Sequence, residues 1–152
     1  MFFLNFSMGF DRDKGLDYGI LTLNHLQNGY VQKWLVTSST VNKQKRDHQH
    51  VWGGLIPQNS ETKLKKYWVD LKPVDLRHNK GVAGNFYKIN PFKVNTTKAA
   101  KRGDLGIHLD ANVPGSLGCL VMNKFNFTEF EQYMKGLFSK GVKEVPLFVQ
   151  YS

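Results

Sequence analysis

The dipeptide Asn28-Gly29, set between two runs of strand-forming residues, constrains this chain more than any other short stretch. Both residue types tolerate positive φ, which a tight hairpin turn demands, so the chain is expected to reverse there. The run before it, Leu16 to Leu26, contains Ile20-Leu21-Thr22-Leu23. The run after it is Tyr30-Val31-Gln32-Lys33-Trp34-Leu35-Val36-Thr37. A supply of eleven Phe, six Tyr and three Trp favours a packed β core around this hairpin over a helical bundle.

More strands are expected downstream: Tyr67 to Leu71, Asn85 to Ile89, Leu105 to Leu109, Cys119 to Met122, and Val145 to Tyr151. Pro73 and Pro91 fall at strand ends, and Pro146 asks for an edge position or a strand start. Between these runs lie a polar stretch from Ser38 to His50 and a Gly- and Asn-rich loop from Arg77 to Gly84. A basic, exposed segment is expected from Lys93 to Arg102. The paired glycines of Trp52-Gly53-Gly54-Leu55-Ile56-Pro57 suggest a close backbone approach or a bulge.

The period changes once. Phe130, Tyr133, Met134, Leu137 and Phe138 recur at helical spacing, with Gly141 as a stop. Thr128-Glu129-Phe130-Glu131 fits a capping box at the helix start. The expectation is a single domain over residues 1–152, mainly β with one helix.

A net charge of +9 draws a surface towards polyanions: nucleic acid, anionic lipid or an acidic cell wall. No segment approaches the ~20 apolar residues of a spanning helix. The N-terminal stretch Met1 to Asp13 is apolar but short and runs into acids without a basic leader, so it reads as a poor signal peptide. His48-x-His50 has no cysteine or acidic cluster beside it, so neither a metal site nor a cofactor is expected.

The chemistry concentrates between residues 106 and 121. Cys119 is the only cysteine, which rules out an internal disulfide. His108 lies eleven positions before it, across a loop carrying Pro114 and Gly115. A thiol attacks a carbonyl as thiolate, and an imidazole within reach takes its proton. Gly115 and Gly118 permit unusual backbone angles, and the amides of Leu117, Gly118 and Cys119 are candidates for an oxyanion hole. Trp52 and Tyr87 are further candidates for lining a cleft, or for core packing.

Ile107-His108, then nine residues, then Gly118-Cys119-Leu120, with Ser116 two before the glycine, resembles the active-site signature of the L,D-transpeptidase catalytic domain. In that family a histidine and a loop precede Ser/Thr-His-Gly-Cys. The Asn28-Gly29 hairpin, the strand ending Val36-Thr37-Ser38 and the Gly53-Gly54 to Pro57 loop follow a similar order, so the resemblance spans most of residues 16 to 125. It implies a β-sandwich of the L,D-transpeptidase type, with Cys119 as nucleophile and His108 as base. It also implies that Ser116 and Gly118 shape the turn, and that a carbonyl just after the histidine orients its second nitrogen. Leu109 is placed to supply that carbonyl, with Asp110 as a carboxylate substitute and Arg102 as a binder of substrate carboxylate or a solvated basic residue.

Leu117 stands where the family has a histidine, Val121 replaces a basic residue, and the loop is short. These departures are similar to compact cell-wall-targeting toxins and phage proteins of the scaffold. The reaction implied is thioester formation on a peptidoglycan stem peptide, released by an amine (transpeptidation) or by water (hydrolysis). The place of action implied is the cell wall or periplasm, reached by a delivery partner or within a phage and held in check by an inhibitor. Two rival readings stand beside it. One is a basic β module for nucleic acid or anionic glycan with an inert Cys119, drawing on the cationic runs at 43–46, 63–66 and 98–102. The other is a cysteine protease or amidase of another fold.

Overall fold

The computed structural model describes residues 1–11 and 15–152, so Asp13, at the acidic end of the N-terminal stretch, lies outside the described residues. The strands are β1 (Phe2–Met8), β2 (Gly19–His25), β3 (Gly29–Val36), β4 (Tyr67–Asp70), β5 (Val74–Leu76), β6 (Gly84–Asn90), β7 (Lys93–Asn95), β8 (Lys101–Gly103), β9 (Gly106–Leu109), β10 (Leu120–Met122) and β11 (Glu144–Tyr151). One α-helix, α1 (Lys124–Ser139), lies between β10 and β11, and short 3-10 turns cover Arg46–His50 and Asn59–Glu61. The chain is thus mainly β with one helix, as its composition suggests.

Eight strands form one mixed path in the order β10-β9-β6-β4-β11-β1-β2-β3, with β5 beside β6, and β7 and β8 form a separate ribbon. The two ends of the path meet. Thr37, just past β3, and Val121 of β10 exchange backbone hydrogen bonds of 3.0 and 2.9 Å. This closure ties the first hairpin to the strand that follows Cys119.

Alternation sets the core. Leu4, Phe6 and Met8 of β1 point to one buried face, in register with Leu147, Val149 and Tyr151 of the parallel β11. Leu23 and Leu21 of β2 join them opposite Leu4 and Phe6. Pro146 sits inside β11, a strand paired on both sides, but registered pairing with β1 begins only at Leu147. Its missing N–H therefore falls outside the parallel ladder.

The hairpin loop is Leu26-Gln27-Asn28, longer than the tight Asn-Gly turn expected, and Gly29 alone takes positive φ there (80°). The His25 ring nitrogen accepts the Gln27 and Asn28 amides, at 3.2 Å each, which stabilises the wider loop.

The helix begins five residues earlier than the Thr128 box implies. Asn123 is the N-cap and its side chain accepts the Asn126 amide at 2.8 Å. Thr128 instead bonds the Lys124 carbonyl within the helix, and Glu131 accepts from Tyr87 and Asn85. Asn123 prevails because an earlier start also buries Phe127. Phe130 packs edge-on to Trp34 of β3 at 5.3 Å and to Tyr87 of β6 at 5.4 Å, so the helix bridges both arms of the sheet. Full burial of such a ring contributes about 2–3 kcal/mol. No described helix is long and apolar enough to cross a membrane.

Candidate active site

Strands β9 and β10 run parallel, with Val121 opposite His108. Two residues back along β10's direction, Cys119 comes level with Gly106 and on the same face as His108. Cys119 immediately precedes β10, and the Gly106 amide, two residues before His108, bonds its sulfur. His108 and Cys119 both line one cavity of ≈ 410 Å³, together with Thr40, Val82, Ser116 and Leu117.

The opposite face of β9 carries Ile107, which is fully buried on the core side. Phe86 of β6 stands beside His108, ring centroids 5.8 Å apart. It also lies over Gly106, where an added Cβ would come 2.3 Å from the phenyl ring. Gly106 thus lets an aromatic wall close on the site, a role that only the folded register reveals.

His108 is 6% exposed, and its Nδ1 lies 2.7 Å from the Leu109 carbonyl oxygen. A carbonyl can only accept, so Nδ1 carries the proton and Nε2 keeps its lone pair. Burial pushes the imidazole pKa below its ordinary value, against the Leu109 bond and the charge of Asp110, which favour protonation. The resting ring is a neutral base with fixed tautomer. Asp110 is not the orienting group. Its carboxylate accepts the Gly115 amide at 3.1 Å and closes the 110–115 loop, and burial raises its own pKa.

Cys119 is half-buried, and burial pushes its thiol up to about 11. The Gly106 amide bonds the sulfur and pulls the other way, without overcoming the burial. The thiol faces the Asp104 carbonyl at 3.8 Å. Asp104 holds positive φ (57°) and its carboxylate pairs with Lys93 at 2.8 Å. The pair is therefore neutral thiol and neutral imidazole at rest, rather than a preformed ion pair.

Two serines hold the turn. Ser116 Oγ donates to the Cys119 carbonyl at 2.5 Å. Ser38 Oγ donates to the Gly118 carbonyl at 2.9 Å and accepts the Ile56 amide at 2.9 Å. In a trans peptide the N–H points away from its C=O, so the Cys119 amide faces away from Ser38. Among the described residues, the Leu117, Gly118 and Cys119 amides take no part in the loop hydrogen bonds. Leu117 itself is 62% exposed at the cavity rim. Ser38 carries no sequence signal for this role beyond its place after a strand.

Arg102 occupies neither position that the sequence offers. It is 1% exposed, in a segment where Val94 and Thr96 are buried too and the lysines are exposed, and it does not line the thiol cavity. Nη1 donates to the carbonyls of Gln49 and Leu55, and Nη2 to that of Gly54, each at 2.7 Å. It clamps the Gly53-Gly54 loop, because three carbonyls converging in a buried space are met by one forked donor.

Tyr87 is a core residue, whereas Trp52 is exposed and lines a different cavity. His48 accepts the Lys45 amide and His50 contacts Thr96 and Glu61, so the two rings serve separate local networks. No family model, curated protein or solved structure matches this chain.

Proposed function

We propose that this protein is a cysteine acyl-transfer enzyme of the L,D-transpeptidase kind, acting on peptidoglycan stem peptides. The observation that carries the reading is the Leu109 carbonyl on His108 Nδ1, on a ring sharing one cavity and one sheet face with Cys119. A backbone carbonyl just after the histidine is what the sequence resemblance calls for. The architectural part of the proposal, a β-sandwich of that type, draws support from a mixed sheet whose ends meet beside the site.

In this mechanism a stem-peptide carbonyl enters the cavity and the Cys119 sulfur attacks its carbon. The thiol proton passes to His108 Nε2 as the C–S bond forms, so no thiolate need exist beforehand. The carbonyl oxygen takes negative charge and meets the free amides of the 117–119 turn. Collapse breaks the C–N bond, and His108 returns the proton to the leaving amine. The thioester is then opened by an acceptor amine or by water, with His108 again as base. The cell wall or periplasm is the place of action in this proposal, with delivery by a partner or a phage particle and an inhibitor as a further partner.

The competing reading is a non-catalytic module for nucleic acid or anionic glycan. One observation favours it, the rise of the thiol to about 11. Purified peptidoglycan incubated with wild type and with Cys119→Ala, read as muropeptides by mass spectrometry, separates the two. New crosslinks or shortened stems that vanish in Cys119→Ala are expected. A muropeptide pattern identical in both proteins and in buffer overturns the proposal.

A further inference from the structure

A second cavity, of ≈ 480 Å³, shares no lining residue with the thiol cavity. Trp52, Lys93, Val94, Asn95, Lys101 and Arg102 line it. Three features of it point to a ligand. Trp52 is 55% exposed although a large aromatic ring gains most by burial. Lys101 is exposed and has no ion-pair partner among the described residues, while Lys93 pairs with a solvent-exposed Asp104 and lies 5.9 Å over the Phe92 ring. Arg102 is buried without a carboxylate partner among the described residues, and its Nε–H has no acceptor there. A buried cation is ordinarily paired.

We propose that this cavity binds an anionic carbohydrate unit. The sugar's apolar face lies on the Trp52 indole, and its carboxylate or phosphate is held by Lys101 and Lys93 in the positive field of Arg102. The Asn95 side chain, of a type that both donates and accepts, suits ring hydroxyls. The volume is that of a small-molecule site. A nucleic-acid strand instead asks for a continued cationic groove with successive aromatic platforms, and this cavity has one indole.

The site stands apart from the catalytic proposal, and its test does not use the thiol. The wild type and Cys119→Ala are titrated with glucuronic acid, glucose phosphate, glucose, inorganic phosphate and a short thymidine oligonucleotide. The readout is the amide and indole NMR spectrum. Saturable shifts centred on the Trp52 indole N–H are expected with glucuronic acid, with glucose phosphate or with both, equally in the two proteins. The sugar acids that bind identify whether carboxylate, phosphate or either is accepted. Glucose and phosphate alone are expected to bind at least roughly tenfold more weakly. Lys101→Ala, and Trp52→Ala read at the Asn95 amide, should each weaken binding by roughly tenfold, while Lys101→Arg keeps it. Both sites are exposed, and unchanged amide spectra elsewhere confirm the fold. Absence of saturation by both anionic sugars, indifference to both alanine variants, or tighter binding of the oligonucleotide at these residues overturns the proposal.

Discussion

Arg102 packs against Gly118: a methyl group added at residue 118 would lie 2.8 Å from the arginine Nη2 and 2.9 Å from the Gly54 carbonyl oxygen. The residue before the cysteine thus rests on the clamp that holds the Gly53-Gly54 loop. Two parts of the chain more than sixty positions apart meet where the turn has no room for a side chain.

Gly118→Ala is expected to destabilise the fold by about 2 kcal/mol or more. Gly118 holds φ of 114°, a conformation L side chains rarely adopt, and the neighbours on that side include backbone. Urea denaturation measures the loss. Cys119 alkylation should also accelerate, because a displaced turn exposes the sulfur. A variant as stable as wild type removes the case for a sterically required glycine.

Replacing Arg102 probes the same contact from the other side. Arg102→Ala orphans the carbonyls of Gln49, Gly54 and Leu55 in a buried space, and a loss of about 3 kcal/mol or more is expected. Arg102→Lys should rescue little, since one ammonium cannot reproduce a planar fork. Thermal unfolding of both variants is the measurement. A lysine variant with wild-type stability shows that charge alone matters there.

Some of this was legible in the sequence and some was not, for physical reasons. The hairpin was readable from Asn28-Gly29, though His25 widened its loop by accepting two amides. Strand β1 is masked in the sequence because an apolar N-terminal run also resembles a leader, while the alternation of Leu4, Phe6 and Met8 carries the strand signal. His108, Leu109 and Cys119 lie close along the chain, so their joint geometry followed from two short strands. The role of Arg102 was hidden because its partners are main-chain carbonyls about fifty positions away, and a carbonyl leaves no mark on residue identity. Ser38 and Gly106 were hidden likewise, since each acts only through a long-range register.

The two reacting groups are expected to give stability a dome-shaped pH dependence. The folded His108 pKa is depressed, so the unfolded chain binds more protons as pH falls through the ordinary histidine value of 6.5. Its contribution is lost on the acid side. The Cys119 pKa is raised from 9.0 to about 11, so the folded chain holds the proton longer and stability falls as pH rises through that window. Denaturation series in His108→Asn and Cys119→Ser should each flatten one limb. Iodoacetamide should report the same thiol, with a rate in the folded protein that keeps climbing to about 11. A plateau already reached at pH 9.0 would mean that the thiol is not held protonated by burial.

Ser38→Ala removes a hydroxyl that braces the 116–119 turn from outside and Ser116→Ala one within it, yet unequal effects are expected. Ser38 is fully buried, and its loss strands two main-chain groups, the Ile56 amide and the Gly118 carbonyl. Ser116 is half-exposed, and its loss frees only one group, the carbonyl of the half-buried, cavity-lining Cys119. Stranded buried groups cost about 1–3 kcal/mol each, whereas a bond exchanged for water costs about 1 kcal/mol or less. Ser38→Ala should therefore lower the denaturation midpoint markedly and Ser116→Ala slightly. Peptidoglycan turnover, under the acyl-transfer proposal, should fall in Ser116→Ala without matching loss of stability, because that hydroxyl fixes the carbonyl of the nucleophile itself. Equal losses of stability in the two variants would show that the turn is held by its backbone angles rather than by the two serines.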